Sequence, residues 1–225
     1  MEKLICFVSC ILLFSCSIKK TENLNTESNN KIIKESKDTK DYLTTIESNI
    51  VNDFLEGELV ADYYKRYKGY QHVTVMESLP KKKAIESYLY SLRESREKKD
   101  FPLNKQDSKK FFLLDSLEIK KINSELENEP IYLWKLSDFK NIKMSLITHK
   151  KIIEMSNTGE YLNLPNRLII YLSKPLIFDS EKAFISFSIG SSFLSFNPIC
   201  HFSALMIKEN NKWVKIATYD DGIYN

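Results

Sequence analysis

Histidine and cysteine are the residue types in this 225-residue chain that are best suited to nucleophilic or metal chemistry. The three histidines, His72, His149 and His201, lie far apart, and none has the spacing of a zinc motif such as His-Glu-x-x-His. A zinc site assembled from distant residues remains an alternative. Cys200 and His201 are adjacent, as a thiol nucleophile and its base would be, but neighbouring side chains on a strand point to opposite faces. The sequence therefore favours a buried core thiol at Cys200.

Two other patterns contain groups that hydrolases use. Gly190-Ser191-Ser192 lacks the second glycine of a nucleophile elbow, and we interpret it as part of a serine-rich loop from Gly190 to Pro198. The carboxylates of Glu125, Glu127 and Glu129 alternate near the end of a predicted helix. Glycosidases use paired carboxylates, but alternation at a helix end favours side chains that are simply solvated.

Two further stretches allow a binding interpretation. Asp220-Asp221-Gly222 offers carboxylates for a weak cation site, but calcium needs a cage of roughly six to eight oxygens, so a terminal turn fits better. The stretch from Tyr63 to Tyr70 mixes tyrosines with basic residues. Such a stretch could form a surface that stacks on sugars or peptides. It could instead form the buried stripe of a helix followed by a basic C-terminal end, and this second interpretation is favoured. These patterns together assign no catalytic, cofactor-binding or metal-binding residue.

The most specific pattern lies at the N-terminus and ends at Cys16. Lys3 precedes a short apolar run from Leu4 to Phe14, about half of the roughly 20 residues that a membrane-spanning helix needs. The tetrapeptide Leu13-Phe14-Ser15-Cys16 resembles the lipobox of bacterial lipoproteins, although that family prefers a small or β-branched residue where Phe14 stands. The resemblance implies cleavage before Cys16, a diacylglycerol on its thiol and usually an acyl chain on the new amine.

This processing predicts three segments. Residues 1–15 are expected to be the signal peptide, residues 16–41 the lipidated cysteine with a flexible tether, and residues 42–225 a single globular domain. The tether has no aromatic residue and too little apolar surface to offset its ordering entropy. Cys6 and Cys10 would leave with the signal peptide, so Cys200 would have no internal disulfide partner. An ordinary secretory signal cut near Ser17 is the alternative.

The composition suits one globular domain of ordinary size, with 43% hydrophobic and 28% charged residues and a formal net charge of +3. The positive charge comes almost entirely from lysine, and acidic and basic residues are interspersed. A nucleic-acid-binding protein more often concentrates arginine in a basic stripe, so the charge pattern indicates a solvated surface and no nucleic-acid partner.

Helices are expected mainly in the first half of the globular domain. The first shows apolar residues at intervals of three and four and is predicted to end near Gly69. A short strand around Val73 and Val75 follows. The predicted helix starts carry capping or proline signals: Thr44 with Glu47, Ser78 with Pro80, and Asp115 with Glu118.

Strands are expected to dominate the second half of the domain, although Thr148 to Met155 is ambiguous between helix and strand. Tight turns such as Glu209-Asn210-Asn211-Lys212 separate the last strands, which indicates an antiparallel meander. The predicted strands are Ile131 to Leu136, Ile142 to Leu146, Arg167 to Leu172, Ala183 to Ile189, His201 to Lys208 and Trp213 to Tyr219.

This order of elements predicts an α+β fold, in which N-terminal helices pack on one face of a C-terminal antiparallel meander. The order loosely resembles the cone-shaped nuclear-transport-factor-2-like fold, without a shared motif. The C-terminal run, with Lys174-Pro175, Asp179 and Lys212-Trp213-Val214, also resembles the tails of small uncharacterised lipoproteins of Bacteroidota.

Two functions remain open from the sequence. The first is a non-catalytic binding or accessory protein of the cell envelope, such as a protective immunity protein. The lipid on Cys16 would hold it in a membrane, with the outer membrane expected, and an envelope protein would be its partner. The alternative is a lipid-anchored hydrolase of envelope or nutrient polymers, with a polar pocket on the meander that contains at least two of His72, His149, His201 or nearby carboxylates. No cofactor is expected for either function.

Overall fold

The computed structural model of this protein describes residues 43–97 and 113–222. The signal peptide, the lipidation site Cys16 and the tether, all inferred from sequence, lie outside these residues. Within the described ranges the chain forms four α-helices and a mixed sheet of seven strands. The predicted α+β class, with helices early and a strand meander late, is confirmed.

The helices and strands are numbered in chain order. The helices are α1 (Thr45–Leu59), α2 (Lys82–Glu97), α3 (Ser116–Leu126) and α4 (His149–Thr158). The strands are β1 (Gln71–Val75), β2 (Met144–Ile147), β3 (Arg167–Leu172), β4 (Leu176–Ile177), β5 (Lys182–Ser191), β6 (Pro198–Glu209) and β7 (Lys212–Tyr219).

Helix α1 begins as the sequence predicts but ends earlier. Thr44 and Glu47 form the expected capping box, in which the Thr44 backbone N–H donates to Glu47 Oε2 at 2.8 Å. The helix ends at Leu59, and a separate 3₁₀ helix, Asp62–Tyr67, follows in place of the predicted continuation to Gly69. Apolar intervals of three and four do not distinguish an α-helix from an α-helix followed by a 3₁₀ turn, because i and i+3 also share a face there.

The sheet has the strand order β2-β1-β3-β5-β6-β7, and β4 pairs with β5. Strands β3, β5, β6 and β7 form the antiparallel meander that the turn residues predict. Strand β1 is parallel to both β2 and β3, so the sheet is mixed. These parallel pairs require crossovers, and sequence periodicity does not report which strands the crossovers join.

Helices cover both faces of the sheet, which corrects the expectation that they pack on one. Ile185 and Phe184 are neighbours on β5 and point to opposite faces. Ile185 lies in a core with residues of α1 such as Phe54, and we call that side the α1 face. Phe184 lies in a core with Ile85 of α2, and we call that side the α2 face. Apolar residues at successive β5 positions are the physical reason, since a strand buried on both sides needs a helix layer on each.

Helix α4 lies on the α2 face, over the other end of the sheet. Its Ile152 shares a small core with Val73 of β1 and Ile169 of β3, and Met155 is also buried. Thr148 caps this helix by accepting a hydrogen bond from the Lys151 backbone N–H at 3.2 Å, which resolves the ambiguous stretch as helix. Helices α2 and α4 therefore cover different parts of the same face.

Two sequence predictions near the sheet need correction. Ile131 to Leu136 contributes only an isolated bridge between Leu133 and Glu77, although Tyr132 and Trp134 do point into the core as alternation predicts. The predicted loop from Gly190 to Pro198 is shorter, because β5 runs to Ser191 and β6 begins at Pro198. Pairing between β5 and β6 extends these two strands beyond the bounds that their composition indicates.

Candidate functional site

A row of polar side chains crosses the α2 face of the sheet, between helices α2 and α4. Tyr171 of β3 pairs with Ser188 of β5, and Ser188 pairs with His201 of β6. Asp221, just beyond β7, stands opposite His201, and the pair closes the row. We call Tyr171, Ser188, His201 and Asp221 the polar row. All four are half-buried, so they form a floor that solvent can reach.

The His201 and Asp221 side chains are in direct contact. His201 Nδ1 lies 2.8 Å from Asp221 Oδ1, and the two side chains are only 18% and 20% exposed. The carboxylate oxygen lies off the N–H direction, so Nδ1 is buried without a well-aligned hydrogen bond. The contact places a carboxylate beside one imidazole nitrogen, the two groups that are hydrogen-bonded where a carboxylate orients a general base.

A β-bulge determines which aspartate meets His201. At the hairpin end Met206 pairs with Lys215, whereas further along Leu205 pairs with Ala217. The extra residue on β7 moves the register by one position. Without it, Asp220 would stand opposite His201, and with it Asp221 does. Bulges commonly re-aim side chains in this way, and turn residues alone do not predict them.

The other end of the row is built by α4 and Glu77. The His149 ring packs edge-on against Tyr171, with ring centroids 6.2 Å apart. The His149 backbone N–H donates to Glu77 Oε2 at 2.9 Å, which fixes the first residue of α4. Burial, and secondarily the Glu77 carboxylate, raise the pKa of Tyr171. The Tyr171 phenol therefore stays protonated and available as a hydrogen-bond donor at neutral pH.

Helix α2 borders the row through serine residues. Ser203 Oγ, on the same face as His201, donates to Ser87 Oγ at 3.2 Å and lies 2.9 Å from Ser186 Oγ. This network is buried beneath α2. Nearer the row, Ser91 Oγ donates to the Asp220 backbone carbonyl at 3.2 Å. The helix thereby holds the segment that carries Asp221.

A tight loop between β5 and β6 packs on the α2 face at the end that α4 covers. Ser195 and Phe196 have positive φ values of 54° and 66°. The loop folds back so closely that a Cβ on Gly190 would lie 2.8 Å from the Phe196 carbonyl oxygen. Tyr161, which follows α4, packs on the Phe196 ring and its hydroxyl lies 2.7 Å from Ser195 Oγ. Glycine is required at position 190 for this close approach.

The structure separates the three histidines between the two faces. His201 belongs to the polar row and His149 borders it, whereas His72 is on the α1 side of β1. His72 lines a depression of about 370 Å³ with Tyr70, Gln71, Lys143, Met144 and Ser145. Burial lowers the pKa of His72, which keeps its ring neutral.

Cys200 and His201 point to opposite faces, as predicted. Cys200 packs against the α1-face core, where the Tyr64 hydroxyl lies 3.4 Å from its sulfur. Burial raises the pKa of the Cys200 thiol. Tyr64 is only 4% exposed, so the tyrosine stretch includes a core residue, as the helix interpretation expects. Tyr67 and Tyr70 also pack against this core.

The other residues that the sequence singles out lie apart from the row. Ser191 and Ser192 are buried, and Ser192 Oγ accepts a hydrogen bond from the Arg167 backbone N–H at 2.9 Å. Glu129 pairs with Lys81 at 3.1 Å. Glu125 is exposed. Neither these serines nor these glutamates join the two histidines.

Sequence reasoning missed Ser188 and Tyr171 and interpreted Asp221 as part of a turn. The available signal was the combination of period-two alternation with the short β6–β7 turn, which together place one of the two adjacent aspartates on the same face as His201. The bulge, and the pairing of β3 with β5, carried no separate sequence signal.

Two broader properties apply to residues 43–97 and 113–222. In these ranges no three His, Cys, Asp or Glu side chains cluster in a way that would hold a metal ion. No helix in the same ranges has the length and apolar character to cross a bilayer.

No family model, curated protein or solved structure matches this chain. The resemblances to bacterial lipoproteins and to the nuclear-transport-factor-2-like fold therefore remain predictions from sequence.

Proposed function

We propose that this chain is a lipid-anchored cell-envelope protein whose globular domain is a binding or accessory module. The observation that carries the binding proposal is the half-buried polar row on the α2 face of the sheet. Tyr171, Ser188, His201 and Asp221 provide a ring, a hydroxyl, an imidazole and a carboxylate within one accessible strip. Binding sites commonly combine a few such convergent polar groups with apolar walls.

The proposed membrane anchoring rests on the sequence Leu13-Phe14-Ser15-Cys16. Two or three acyl chains at Cys16 would anchor the protein stably, since each buried methylene contributes about 0.8 kcal/mol. The tether after Cys16 would let the domain project from the membrane toward a partner in the envelope. An outer-membrane location, and a protective role against an incoming toxin, fit this arrangement.

A histidine pair gives the binding proposal a matched test. The full-length protein, purified in detergent, is incubated separately with purified sacculi, lipopolysaccharide and solubilised envelope proteins. His201→Ala removes a group from the polar row, whereas His72→Ala removes the same group from the α1 side of the sheet. Binding of one of these materials by the wild type should be lost with His201→Ala and kept with His72→Ala. Absence of binding to all three, or equal loss in both variants, would contradict the proposal.

The anchor is tested in the same protein with Cys16→Ala. Metabolic labelling with a fatty-acid analogue and recovery in the membrane fraction should both disappear. Unchanged labelling would reject Cys16 as the lipidation site without bearing on the polar row.

A further inference from the structure

We propose that the polar row is also a catalytic site for the hydrolysis of carboxylic esters, in which Ser188 Oγ is the nucleophile and His201 the general base. Asp221 positions His201, and the Tyr171 hydroxyl donates a hydrogen bond to the substrate oxygen. This inference rests on the proposed function in one respect, because it takes the same row as the site that meets the envelope ligand.

The groups along the row have the order that acyl transfer needs. Ser188 on β5, His201 on β6 and Asp221 just beyond β7 stand next to one another on one face. The Asp221 carboxylate lies at Nδ1 of His201. Asp221 and Ser188 flank His201 on its β7 and β5 sides, so a carboxylate at Nδ1 leaves Nε2 as the nitrogen that can serve the Ser188 hydroxyl.

Ser188 and His201 lie directly opposite each other on β5 and β6. Side chains directly opposite on antiparallel strands have Cβ atoms about 4.5–5.5 Å apart. Within the described part of the chain the Ser188 hydroxyl makes no side-chain hydrogen bond, so its rotamer is not held elsewhere. A Ser188 rotamer aimed at β6 brings Oγ near Nε2, and catalytic hydrogen bonds commonly tighten only when substrate is bound.

Ser188 differs in burial from Ser186 and Ser203, which lie on the same face. Ser186 and Ser203 are almost fully buried and hydrogen-bonded to each other beneath α2. Ser188 is half-buried, whereas Ser186, two positions before it on β5, is only 3% exposed. Only an accessible hydroxyl can attack an external substrate, so the row presents one candidate nucleophile among these three.

The chemistry balances without a metal or cofactor. His201 Nε2 takes the Ser188 proton as Oγ attacks the ester carbonyl carbon, and the resulting imidazolium is stabilised by Asp221. Collapse of the tetrahedral oxyanion expels the alcohol, which receives that proton, and leaves an acyl-serine. Water, activated by His201, then hydrolyses the acyl-serine and regenerates the Ser188 hydroxyl.

The row favours esters over amides as substrates. The Ser188 backbone N–H lies within the β5 ladder, and Tyr171 is the hydroxyl donor beside it. One oxyanion donor is typically worth about 10²- to 10³-fold in rate, so a site with a single donor suits a bond with a good leaving group. An O-acyl ester on an envelope macromolecule is the substrate class that fits.

The test uses a fluorophosphonate probe on the full-length protein in detergent. Attack by Ser188 Oγ forms an O–P bond and releases fluoride, and mass spectrometry of peptides identifies the labelled serine. We expect labelling at Ser188, loss of labelling with Ser188→Ala, and a rate at least about 100-fold slower with His201→Gln. Ser203→Ala, on the same face but buried, should keep the wild-type rate, and circular dichroism checks the fold of each variant.

Asp221 requires a readout that a structural role would not change. If Asp221 positions His201, Asp221→Asn should slow the labelling of Ser188 at an unchanged unfolding midpoint, and Asp221→Glu should restore part of the labelling rate.

The outcomes separate this inference from the binding proposal. A folded wild-type protein that stays unlabelled, or that is labelled at another serine, overturns the catalytic inference. If His201→Ala still abolishes ligand binding in that case, the binding proposal stands by itself. If ligand binding does not depend on His201, the binding proposal fails whatever the labelling result.

Discussion

At the scale of single residues, the ion pair between Glu47 and Lys174 joins the start of α1 to the sheet. Lys174 Nζ lies 3.0 Å from Glu47 Oε1, and the two side chains are 17% and 10% exposed. Burial by itself would raise the pKa of Glu47, but the Thr44 backbone N–H and the Lys174 ammonium outweigh it and lower the pKa below its ordinary value. Lys174 also lies over the Tyr132 ring, 5.1 Å from its centroid.

This lowered pKa predicts a pH-dependent contribution to stability. A carboxyl with a lower pKa in the folded state binds fewer protons there, so it stabilises the fold above its unfolded pKa, and this is lost as pH falls through the folded pKa. Glu47→Gln should lower the free energy of unfolding by about 1–3 kcal/mol at pH 7, where it leaves a buried ammonium unpaired. Urea unfolding should give a smaller difference from wild type near pH 3.

The exposed Glu86 of α2 provides the control for this prediction. Glu86→Gln should leave the unfolding midpoint unchanged at both pH values. A Glu47→Gln effect of equal size at pH 7 and near pH 3 would show that packing, and not the charge, is responsible.

At the scale of elements, α1 and α3 begin with the same capping motif but differ in burial. Asp115 Oδ1 accepts hydrogen bonds from the Leu117 and Glu118 backbone N–H groups at 2.7 and 2.8 Å, as the sequence predicts. Helix α3 has no fully buried residue, whereas α1 buries residues such as Ile50 and Phe54. The two caps therefore support helices that are coupled very differently to the core.

The difference predicts a local effect for one cap and a global effect for the other. Thr44→Ala should lower the free energy of global unfolding by about 0.5–2 kcal/mol, because α1 cannot fray without exposing its core. Asp115→Ala should lower the stability of α3 against local unfolding by a similar free energy, with its main effect confined to that helix. Hydrogen exchange should then show faster exchange of α3 amides with unchanged protection of β5 and β6. An equal fall of the unfolding midpoint in both variants would contradict this assignment.

At the scale of the whole molecule, the sheet separates two apolar cores. Ile50 belongs to the core on the α1 face and Ile85 to the core on the α2 face. The sheet lies between them, so a methyl group removed from one core leaves the packing of the other unchanged. Phe54 and Phe187, in contrast, are in direct edge-to-face contact with ring centroids 5.3 Å apart.

The separation predicts additive effects across the sheet. Ile50→Val and Ile85→Val should each cost about 0.5–1.5 kcal/mol of unfolding free energy. The double variant should equal their sum within about 0.5 kcal/mol, measured by urea unfolding. Phe54→Leu with Phe187→Leu is the comparison pair, where contact predicts a coupling energy of about 0.5–1.5 kcal/mol. Strong coupling between the two isoleucines would be inconsistent with two independent cores.

Local patterns were sufficient for much of the fold. Both capping boxes, the strand at Val73 and Val75, and the final meander follow from residue types a few positions apart. The 3₁₀ helix after α1 and the isolated bridge at Leu133 were mispredicted, because apolar spacing reports which face is inward and not which hydrogen bonds form. Of the polar row, the sequence alone indicates only His201 as a candidate catalytic group, because strand pairing is what brings Ser188, Tyr171 and Asp221 into one row with it.

The sequence by itself determined the lipobox pattern, the α+β class and the outward or inward direction of alternate residues on each strand. These depend on short-range chemistry that is written into consecutive positions. Tertiary structure alone decided that helices cover both faces and that β1 runs parallel to its two neighbours. It also decided, through a single bulge, that Asp221 meets His201, because strand register depends on hydrogen bonds between residues that are distant in sequence.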